Sequence, residues 1–439
     1  MLHGIIDIAR LAATTYGPNG RTVWIDRPQG TLITKDGYMV IREAVPYGDM
    51  PRCLGGKVLL DGVERQNQEQ GDGTTLTAIL AGALAQQCLL HSLPLDPVPL
   101  VRQIQSYSQP VTSESEILSL AQRAGYDHNL AQQITTLLMD LGEGAHIVVE
   151  PGWASETRTH IQTGAHWVCR SYGDKTLDEP LVAISRTGLE SLADVQELLE
   201  WVAGADRPLL LVAPWIEGVA AHTIRMNPSL KVLGVRQGRI PLDDLAVLTG
   251  ATIRDTLTGH TGFERDWFGH AVRATTDSKG LTLLPYDDRQ RDAEKLAQRL
   301  STQADESDSP FDADRLRERA ASLQSSIGFV RLGAATELEG KEAKGRLEDL
   351  LGSLSSALAT GTVPQAAWLL KHLDADRLTQ KALAKPFDVL KRSGVISSPD
   401  LRDPTGVVTG ALMQAMTIVR LVANSGAVLD SRGRPVQLK

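Results

Sequence analysis

The pattern of the chain changes twice along its length, and this change restricts the fold more than any other sequence feature. Helical periodicity dominates up to about residue 163. From Gly164 to about residue 285, strand-like runs such as PLVAIS, PLLLVAP and LKVLGV alternate with helical segments such as LADVQELLEWV and LDDLAVLT. Helical patterns then return. Because alternating strands and helices build layered α/β domains, this order predicts an α/β domain inserted into a mainly helical one.

Local signals divide the two flanking parts further. Glycine and proline end the first predicted helix at Gly17-Pro18, and Lys35-Asp36-Gly37 is typical of a turn. The segment GDGTT precedes a long aliphatic helix. The other predicted elements are a first helix over 5–15, a hairpin formed by RTVWID and TLITK, helices over 56–69 and within 113–140, the strand HIVVE, a helical hairpin over 288–324, the strand GFVRLG and a helix over 340–359.

Length, charge and cysteine content exclude several classes of protein. A chain of 439 residues with 42% hydrophobic residues indicates two to four globular domains with sizeable cores. The net charge of −8 argues against nucleic-acid binding, since no basic surplus is present. Three cysteines without a CxxC spacing fit a reducing cytoplasm. The longest uncharged stretch, from Thr74 to Leu95, contains Pro94 and several polar residues, which favours a buried helix over a membrane span.

The segment from Gly71 to Thr75 carries the first chemical signal. Backbone N–H groups at a helix N-terminus attract anions, and glycines allow a phosphate to approach the backbone. Asp72 supplies a hard oxygen of the kind that Mg²⁺ prefers, and Thr74 and Thr75 add hydroxyl donors. The alternative is a plain turn with an N-cap, which is the commoner meaning of such a segment by itself.

Three motifs in this order resemble a known signature. The runs TYGPNGR, ITKDG and GDGTT are similar to TLGPKGR, ITKDG and GDGTT, the nucleotide-binding segments of group I (bacterial-type) chaperonins. Three later runs extend the resemblance: the helix from Phe311-Asp312 to Leu323, GAATELEGKEAKGRLEDLL over 333–351, and DPTGVVTGAL from Asp403. Together the motifs span nearly the whole chain, and they indicate a divergent, shortened member of that family.

The resemblance implies a multidomain α+β chaperonin fold with discontinuous domains. A mainly helical equatorial ATP-binding domain would comprise 1–108 and 361–439, and a small intermediate domain would comprise 109–163 and 327–360. An α/β apical domain over 164–326 would be the insertion. Such hinged arrangements can move as rigid bodies.

The resemblance also implies roles for individual residues. Asp72 matches the Mg²⁺-coordinating aspartate, and Asp36 and Asp349 match the carboxylates that position and activate the attacking water. Asp403 matches a ribose-contacting aspartate. The positions that match phosphate, K⁺ or backbone contacts are Thr15, Gly17, Pro18, Lys35, Gly71, Gly73, Thr74 and Thr75. Alternatives remain open: Asp349 as a solvated acid on a charged helix, and Asp403 as an N-cap before Pro404.

The chain departs from the family pattern in three regions. Gln365-Ala366-Ala367 replaces a Gly-Gly-Gly that approaches the nucleotide, and Gln122 replaces an isoleucine near the base, which puts nucleotide affinity in question. A block of several dozen residues that joins two rings is missing between about Trp368 and Phe387. The groove that binds non-native chains is altered, and its matching residues are Leu199, Ala221, Arg225 and Met226.

The function implied is that of an ATP-dependent chaperonin which uses ATP, Mg²⁺ and, by resemblance, K⁺. It would form a homo-oligomeric ring, expected to be a single ring of about seven subunits with cyclic symmetry, and act on non-native clients. The alternative is a chaperonin-derived assembly factor or scaffold that binds one dedicated partner with little or no ATPase activity. The sequence leaves open the use of a co-chaperonin lid, and whether the cytoplasm is that of a bacterium or of a phage-infected bacterium. No membrane or nucleic-acid partner is expected.

Overall fold

The computed structural model describes residues 1–27, 30–45, 50–123, 128–142, 146–151, 157–172, 175–256, 262–277, 280–307, 309–334, 336–426, 428–429 and 435–436. The chain forms two compact units. The first unit contains residues 1–159 and 330–439, and the second contains 160–329. The second unit is thus an insertion that the chain enters and leaves once. Our finer limits at 108, 163, 326 and 360 stay predictions.

The first part of the chain is mainly helical and contains one hairpin. Its elements are α1 (Leu2–Ala12), β1 (Val23–Ile25), β2 (Leu32–Thr34), α2 (Gly37–Ala44), α3 (Met50–Gln70), α4 (Thr74–Cys88), α5 (Val98–Ser106), α6 (Glu114–Arg123), α7 (His128–Leu141) and β3 (His146–Pro151). A 3₁₀ turn over Ala13–Thr15 extends α1. The predicted turn at Lys35-Asp36-Gly37 is wrong in one respect, because Asp36 is the N-cap of α2.

The inserted part alternates strands and helices. Its elements are β4 (Arg158–Trp167), β5 (Arg170–Ser171), β6 (Lys175–Asp178), β7 (Leu181–Ser185), α8 (Gln196–Ala205), β8 (Leu209–Ala213), α9 (Gly218–Met226), β9 (Val232–Arg236), α10 (Leu242–Thr249), β10 (Ile253–Arg254), β11 (Gly269–His270), β12 (Arg273–Asp277), β13 (Gly280–Leu284), α11 (Asp287–Asp305), α12 (Pro310–Leu323) and β14 (Ser325–Leu332). The predicted α/β alternation and the helical hairpin are confirmed.

The last part is again mainly helical. Its elements are α13 (Glu337–Thr360), β15 (Thr362–Pro364), α14 (Ala366–His372), α15 (Arg377–Leu383), α16 (Lys385–Arg392), β16 (Arg402–Pro404), α17 (Thr405–Ala423), β17 (Val428–Leu429) and β18 (Pro435–Val436). Strands β15 and β16 pair antiparallel, with Val363 opposite Asp403.

The larger core of the first unit is helical and joins both ends of the chain. Helices α1, α3 and α17 pack around α4, whose residues from Leu76 to Ala85 are all buried. Helix α17 is apolar and long enough, by length and composition alone, to cross a membrane. Its buried face, which includes Val408, Leu412 and Val419, lies in this core. Packing in that core therefore accounts for its composition.

A second, smaller core lies in the same unit. It is formed by α6, α7, β3, the end of β14 and one face of α13, through residues such as Ile134, Val149, Val330 and Leu347. Helix α13 continues past this core and contacts α17 and β16. The helix that carries Asp349 therefore links the smaller core to the helical one.

The second unit is built on two sheets. In the first, β7, β8 and β9 are parallel neighbours, as expected for an α/β domain. The residues of the central strand β8, Leu209 to Ala213, are fully buried. Strand β10 extends this sheet in parallel, and β5 and β11 pair antiparallel to β9 and β7. In the second sheet, β4, β13, β12 and β6 form an antiparallel series. A core of aliphatic side chains fills the space between them.

Candidate nucleotide site

The loop between α3 and α4 is shaped by two glycines in the left-handed region. Gly71 has φ +69° and Gly73 has φ +86°, and Gly73 is the N-cap of α4. A Cβ on Gly71 would lie 2.6 Å from the Gly352 Cα, and one on Gly73 would lie 2.8 Å from the side chains of Gln66 and Val407. Both positions therefore require glycine. No side chain among the described residues caps α4, which leaves its first N–H groups available to an anion.

The Asp72 side chain lies in this loop with both carboxylate oxygens engaged. Oδ1 accepts a hydrogen bond from the Gly73 N–H at 2.5 Å, and Oδ2 accepts one from the Ser353 hydroxyl at 2.9 Å. The Asp72 carbonyl accepts a third from Gln66 Nε2 at 2.8 Å. The residue is thereby fixed at both its backbone and its carboxylate.

The ITKDG motif lies directly beside this loop. A Cβ built on Gly37 would overlap the Thr75 hydroxyl and would lie 3.2 Å from Oγ1 of Thr15. Gly37, the last residue of the second motif, thus marks the point where the three predicted motifs meet, since Thr15 begins the first and Thr75 ends the third. The motifs predicted to act together are brought together by the fold.

Asp36 is positioned by α2. Its Oδ1 accepts from the Tyr38 N–H at 2.8 Å, and its Oδ2 from the Met39 N–H at 3.4 Å. Burial raises the pKa of the Asp36 carboxyl, and the nearby Asp72 adds to the rise, while the two N–H groups and Arg42 oppose it.

Asp349 completes the group of acids. Burial raises the pKa of its carboxyl well above the ordinary value, and the charges of Asp72, Asp36 and Glu348 raise it further. Burial likewise raises the pKa of Asp72, against the hydrogen bonds from Gly73 and Ser353. As whole residues, Asp36, Asp72 and Asp349 are half-buried. Their carboxyl groups are surrounded by protein atoms. Asp349 is thus not the solvated acid of the alternative interpretation.

This arrangement fits a bound cation and phosphate. Neighbouring acids raise the pKa of Asp36 and of Asp349, so the group carries negative charge that a bound cation would offset. Within the described ranges, no three His, Cys, Asp or Glu side chains are placed to hold a metal ion alone. Mg²⁺ is commonly held by one or two carboxylates together with phosphate oxygens and water, so Asp72 is a suitable protein ligand.

The remaining predicted residues surround the loop in different ways. Thr15 and Thr74 are buried, Thr75 is half-buried, and Pro18 and Lys35 are exposed. Gly17 has φ +81°, and a Cβ there would overlap the Leu390 side chain. Asn19 Nδ2 donates to the Ser393 carbonyl at 2.9 Å. The first motif is thus held against α16 and the residues that follow it.

Asp403 has a defined structural partner. Its Oδ2 accepts a hydrogen bond from the Ala366 N–H at 2.7 Å, at the start of α14. The N-cap interpretation is therefore wrong, because Pro404 is the N-cap of α17 and Asp403 instead accepts a long-range hydrogen bond from the first residue of α14. Ala366 and Ala367 are buried in the helical core, so their methyl groups point away from solvent. A ribose contact by Asp403 stays a prediction.

Three contributors escaped the sequence analysis. Gln66 and Ser353 hold Asp72, as described above. The Tyr16 phenol lies near Asp403 and Asp72, and burial together with these two charges raises the pKa of its hydroxyl. Tyr16 occupies the position of the leucine in TLGPKGR, and this departure from the family pattern is the sequence signal that could have identified it.

Gln122, which replaces the family's isoleucine, is exposed, and its Nε2 lies 2.7 Å from His128 Nδ1.

The predicted groove residues of the second unit differ in exposure. Arg225 is exposed, Met226 is 66% exposed, and Ala221 is half-buried. Leu199 is only 6% exposed and packs in the core beneath α8 with Leu198 and Val202. Its assignment to a surface groove is therefore corrected, because α8 turns this side chain inward.

Comparisons with known proteins agree with the fold. The sequence model of the TCP-1/cpn60 chaperonin family matches residues 8–138, which include all three motifs. Two crystal structures of the chaperonin gp146 from the bacteriophage EL 2 (Pseudomonas aeruginosa), both in the presence of ATP-BeFx, are 18% identical to this chain. Each match covers 97% of this chain and 96% of the phage chain, with TM-scores of 0.62 for crystal form II and 0.56 for form I. The sequence over residues 8–138 thus matches the chaperonin family, and the chain as a whole has the chaperonin fold.

Proposed function

We propose that this protein is an ATP-dependent chaperonin that binds ATP with Mg²⁺, hydrolyses it and thereby assists protein folding as a ring. The observation that carries the proposal is the grouping of Asp36, Asp72 and Asp349 beside the uncapped start of α4. These carboxylates come from distant segments of the chain, and nothing in the helical core requires three acids at this place.

Different residues would bind the phosphates, the metal ion and the sugar of the nucleotide. The first N–H groups of α4 and the hydroxyls of Thr74 and Thr75 would bind the phosphates. Asp72 would hold Mg²⁺, which supplies neutralisation of phosphate charge when bound. By resemblance Asp403 would contact the ribose, and the Tyr16 phenol lies near Asp403.

Hydrolysis requires a positioned water and a group that accepts its proton. Asp36 and Asp349 would orient this water by accepting its hydrogen bonds. The raised pKa of Asp349 makes its carboxylate a stronger base than an exposed aspartate. We therefore assign proton acceptance to an Oδ atom of Asp349, with Asp36 held by α2 as the orienting partner.

The decisive experiment compares ATP turnover by the wild type, Asp349→Ala and Glu342→Ala. Glu342 is an exposed carboxylate on the same helix and serves as the matched control. We expect the first substitution to lower kcat by at least about a hundredfold while ATP still binds. The control should resemble the wild type. A wild type without Mg-dependent turnover above background would remove the enzymatic part of the proposal.

A second function, that of a factor dedicated to one partner, is favoured by the groove. Leu199 is buried and Arg225 is exposed, so the surface is less apolar than expected for a general binder of unfolded chains. Refolding assays with several unrelated denatured proteins separate the two functions. Rescue of several substrates supports the general chaperonin, and rescue of none supports the dedicated factor.

Ring formation is supported by an exposed aromatic side chain on the hairpin of β1 and β2. By resemblance this hairpin contacts the neighbouring subunit, and Trp24 on it is 71% exposed. Mass photometry with and without ATP tests the proposal, for which a single ring of about seven subunits is expected. A monomer under both conditions would contradict it.

The three cysteines suit a reducing compartment. Cys53, Cys88 and Cys169 are all free thiols. Burial raises the pKa of Cys88 and of Cys169, the latter to about 11, so little reactive thiolate is present. We therefore propose a cytoplasmic location.

A further inference from the structure

Helix α13 contacts the end of α3 and the loop that follows it at three places. Ser356 Oγ donates to Gln70 Oε1 at 2.9 Å. Gly352 packs against Gly71 so closely that neither has room for a Cβ. Ser353 Oγ donates to Asp72 Oδ2 at 2.9 Å. The contacts join the consecutive residues Gln70, Gly71 and Asp72 to residues of α13 that lie within about one helical turn of one another.

Only the third contact reaches the functional carboxylate. A free aspartate side chain can rotate about two torsions, whereas here Oδ1 is held by the Gly73 N–H and Oδ2 by the Ser353 hydroxyl. Two donors on opposite oxygens fix the plane of the carboxylate. The lone pairs that these donors leave free then point in a defined direction, which a metal with strict octahedral geometry requires.

Ser353 also determines where Asp349 lies. The two residues are four positions apart on α13 and therefore project from the same face of the helix. A bond from Ser353 to Asp72 thus fixes the position of Asp349 relative to the loop. Loss of the bond would release one carboxylate and loosen the placement of the other.

We propose that Ser353 is a positioning residue that orients the Asp72 carboxylate for Mg²⁺ and sets the register of Asp349 against the phosphate loop. This role rests on the proposed nucleotide function. Neither the motif resemblance nor the family match assigns it, and the matched segment 8–138 does not contain α13.

The test uses three single substitutions on the same helix in the full chain. Ser353→Ala removes the bond to Asp72. Ser356→Ala removes the neighbouring bond to Gln70 and controls for the docking of α13. Ser355→Ala controls for loss of a hydroxyl, since in the described part of the chain Ser355 makes no side-chain hydrogen bond.

The measurement is the affinity for ATP by calorimetry, once with Mg²⁺ and once with EDTA. We expect Ser353→Ala to weaken binding of Mg-ATP roughly tenfold, the usual effect of removing a hydrogen-bond partner of a metal ligand. Binding of metal-free ATP should stay unchanged, and both controls should keep the wild-type ratio of the two affinities. An unchanged ratio in Ser353→Ala, or an equal change in Ser356→Ala, overturns the proposal.

A second measurement needs no nucleotide. A double-mutant cycle of Ser353→Ala and Asp72→Ala, followed by urea unfolding in Mg-free buffer, measures the Ser353–Asp72 bond itself. The two substitutions should be non-additive, because either one alone removes the bond. Additive losses of stability would refute it. If the wild type bound no nucleotide, the proposed function would fail while this test still decided on Ser353 and Asp72.

Discussion

Gly71 and Gly352 meet backbone to backbone. A Cβ on either residue would come within 2.6 Å of the Cα of the other, so the loop between α3 and α4 and helix α13 share a contact that admits no side chain. Cβ atoms do not tolerate such distances, and the segments would have to separate by an ångström or more to accept one.

The first prediction follows from this contact. Gly352→Ala should destabilise the first unit and weaken ATP binding, because it pushes α13 away from Asp72. Gly345→Ala is the control on the same helix, since a Cβ there meets nothing within 4 Å. It should stabilise the protein by about 0.5–1 kcal/mol through higher helix propensity. Thermal unfolding and ATP titration measure both effects, and equal behaviour of the two variants would contradict the contact.

The second prediction concerns the group of buried acids. Asp349 has a raised pKa in the folded protein, so the folded state binds more protons than the unfolded state, and stability falls as pH rises through the raised value. Asp349→Asn should therefore raise the melting temperature in Mg-free buffer near neutral pH, by about 2–4 °C for each kcal/mol of relieved repulsion.

The stability of Asp349→Asn should also depend less on pH than that of the wild type. Melting curves between about pH 5 and 8 test this expectation. A variant that is less stable than the wild type at neutral pH would show that the acids do not repel one another.

The third prediction concerns an ion pair in the second unit. Arg319 on α12 binds the carboxylate of Asp244 on α10 with two contacts, at 2.5 and 3.0 Å, and Asp244 is only 1% exposed. Arg319→Ala leaves this charge buried and unpaired, which should cost about 3–5 kcal/mol.

The control is Arg317→Ala, which breaks exposed pairs with Asp305 and Asp314 and should cost less than about 1 kcal/mol. Urea unfolding of the two variants provides the comparison. Similar losses in both would mean that Asp244 is paired or solvated by other groups.

The fourth prediction concerns assembly. Trp24→Ala should shift the mass distribution from rings toward monomers, because an exposed indole of this size is an expected anchor of an interface. Leu90→Ala is the control, since Leu90 is 78% exposed on the same unit but lies outside the hairpin. Mass photometry at several protein concentrations measures the ring fraction of both variants. If the rings of Trp24→Ala were as stable as those of the wild type, the lateral contact would lie outside the hairpin.

Part of the site was predictable because its residues form contiguous motifs. Gly71, Asp72 and Gly73 identify the loop from sequence, and the structure explains why each residue type is needed. Asp36 was misjudged in one respect, because a turn and a short helix begin with the same Asp–Gly signal. Its side chain caps α2, and the sequence alone did not show that a helix follows.

The remaining features depend on contacts that sequence spacing does not encode. Ser353 lies 281 positions from Asp72, and only tertiary packing reveals that its hydroxyl reaches the carboxylate. Leu199 was placed on a surface by its match to the groove of the family. In this chain α8 begins at Gln196 and turns this side chain inward. Helix boundaries and long-range partners are the two quantities that local patterns define least well.

The composition of the helical core has a consequence for how the chain is made. Residues from Ile5 to Val422 share this core, so its first helices leave the ribosome long before α17, the helix they pack against. The inserted unit is continuous from 160 to 329, so all of its residues are synthesised before α17. The inserted unit should therefore fold first in nascent chains. The apolar surfaces of α1 and α4 stay exposed, and prone to aggregation, until α17 has emerged from the ribosome.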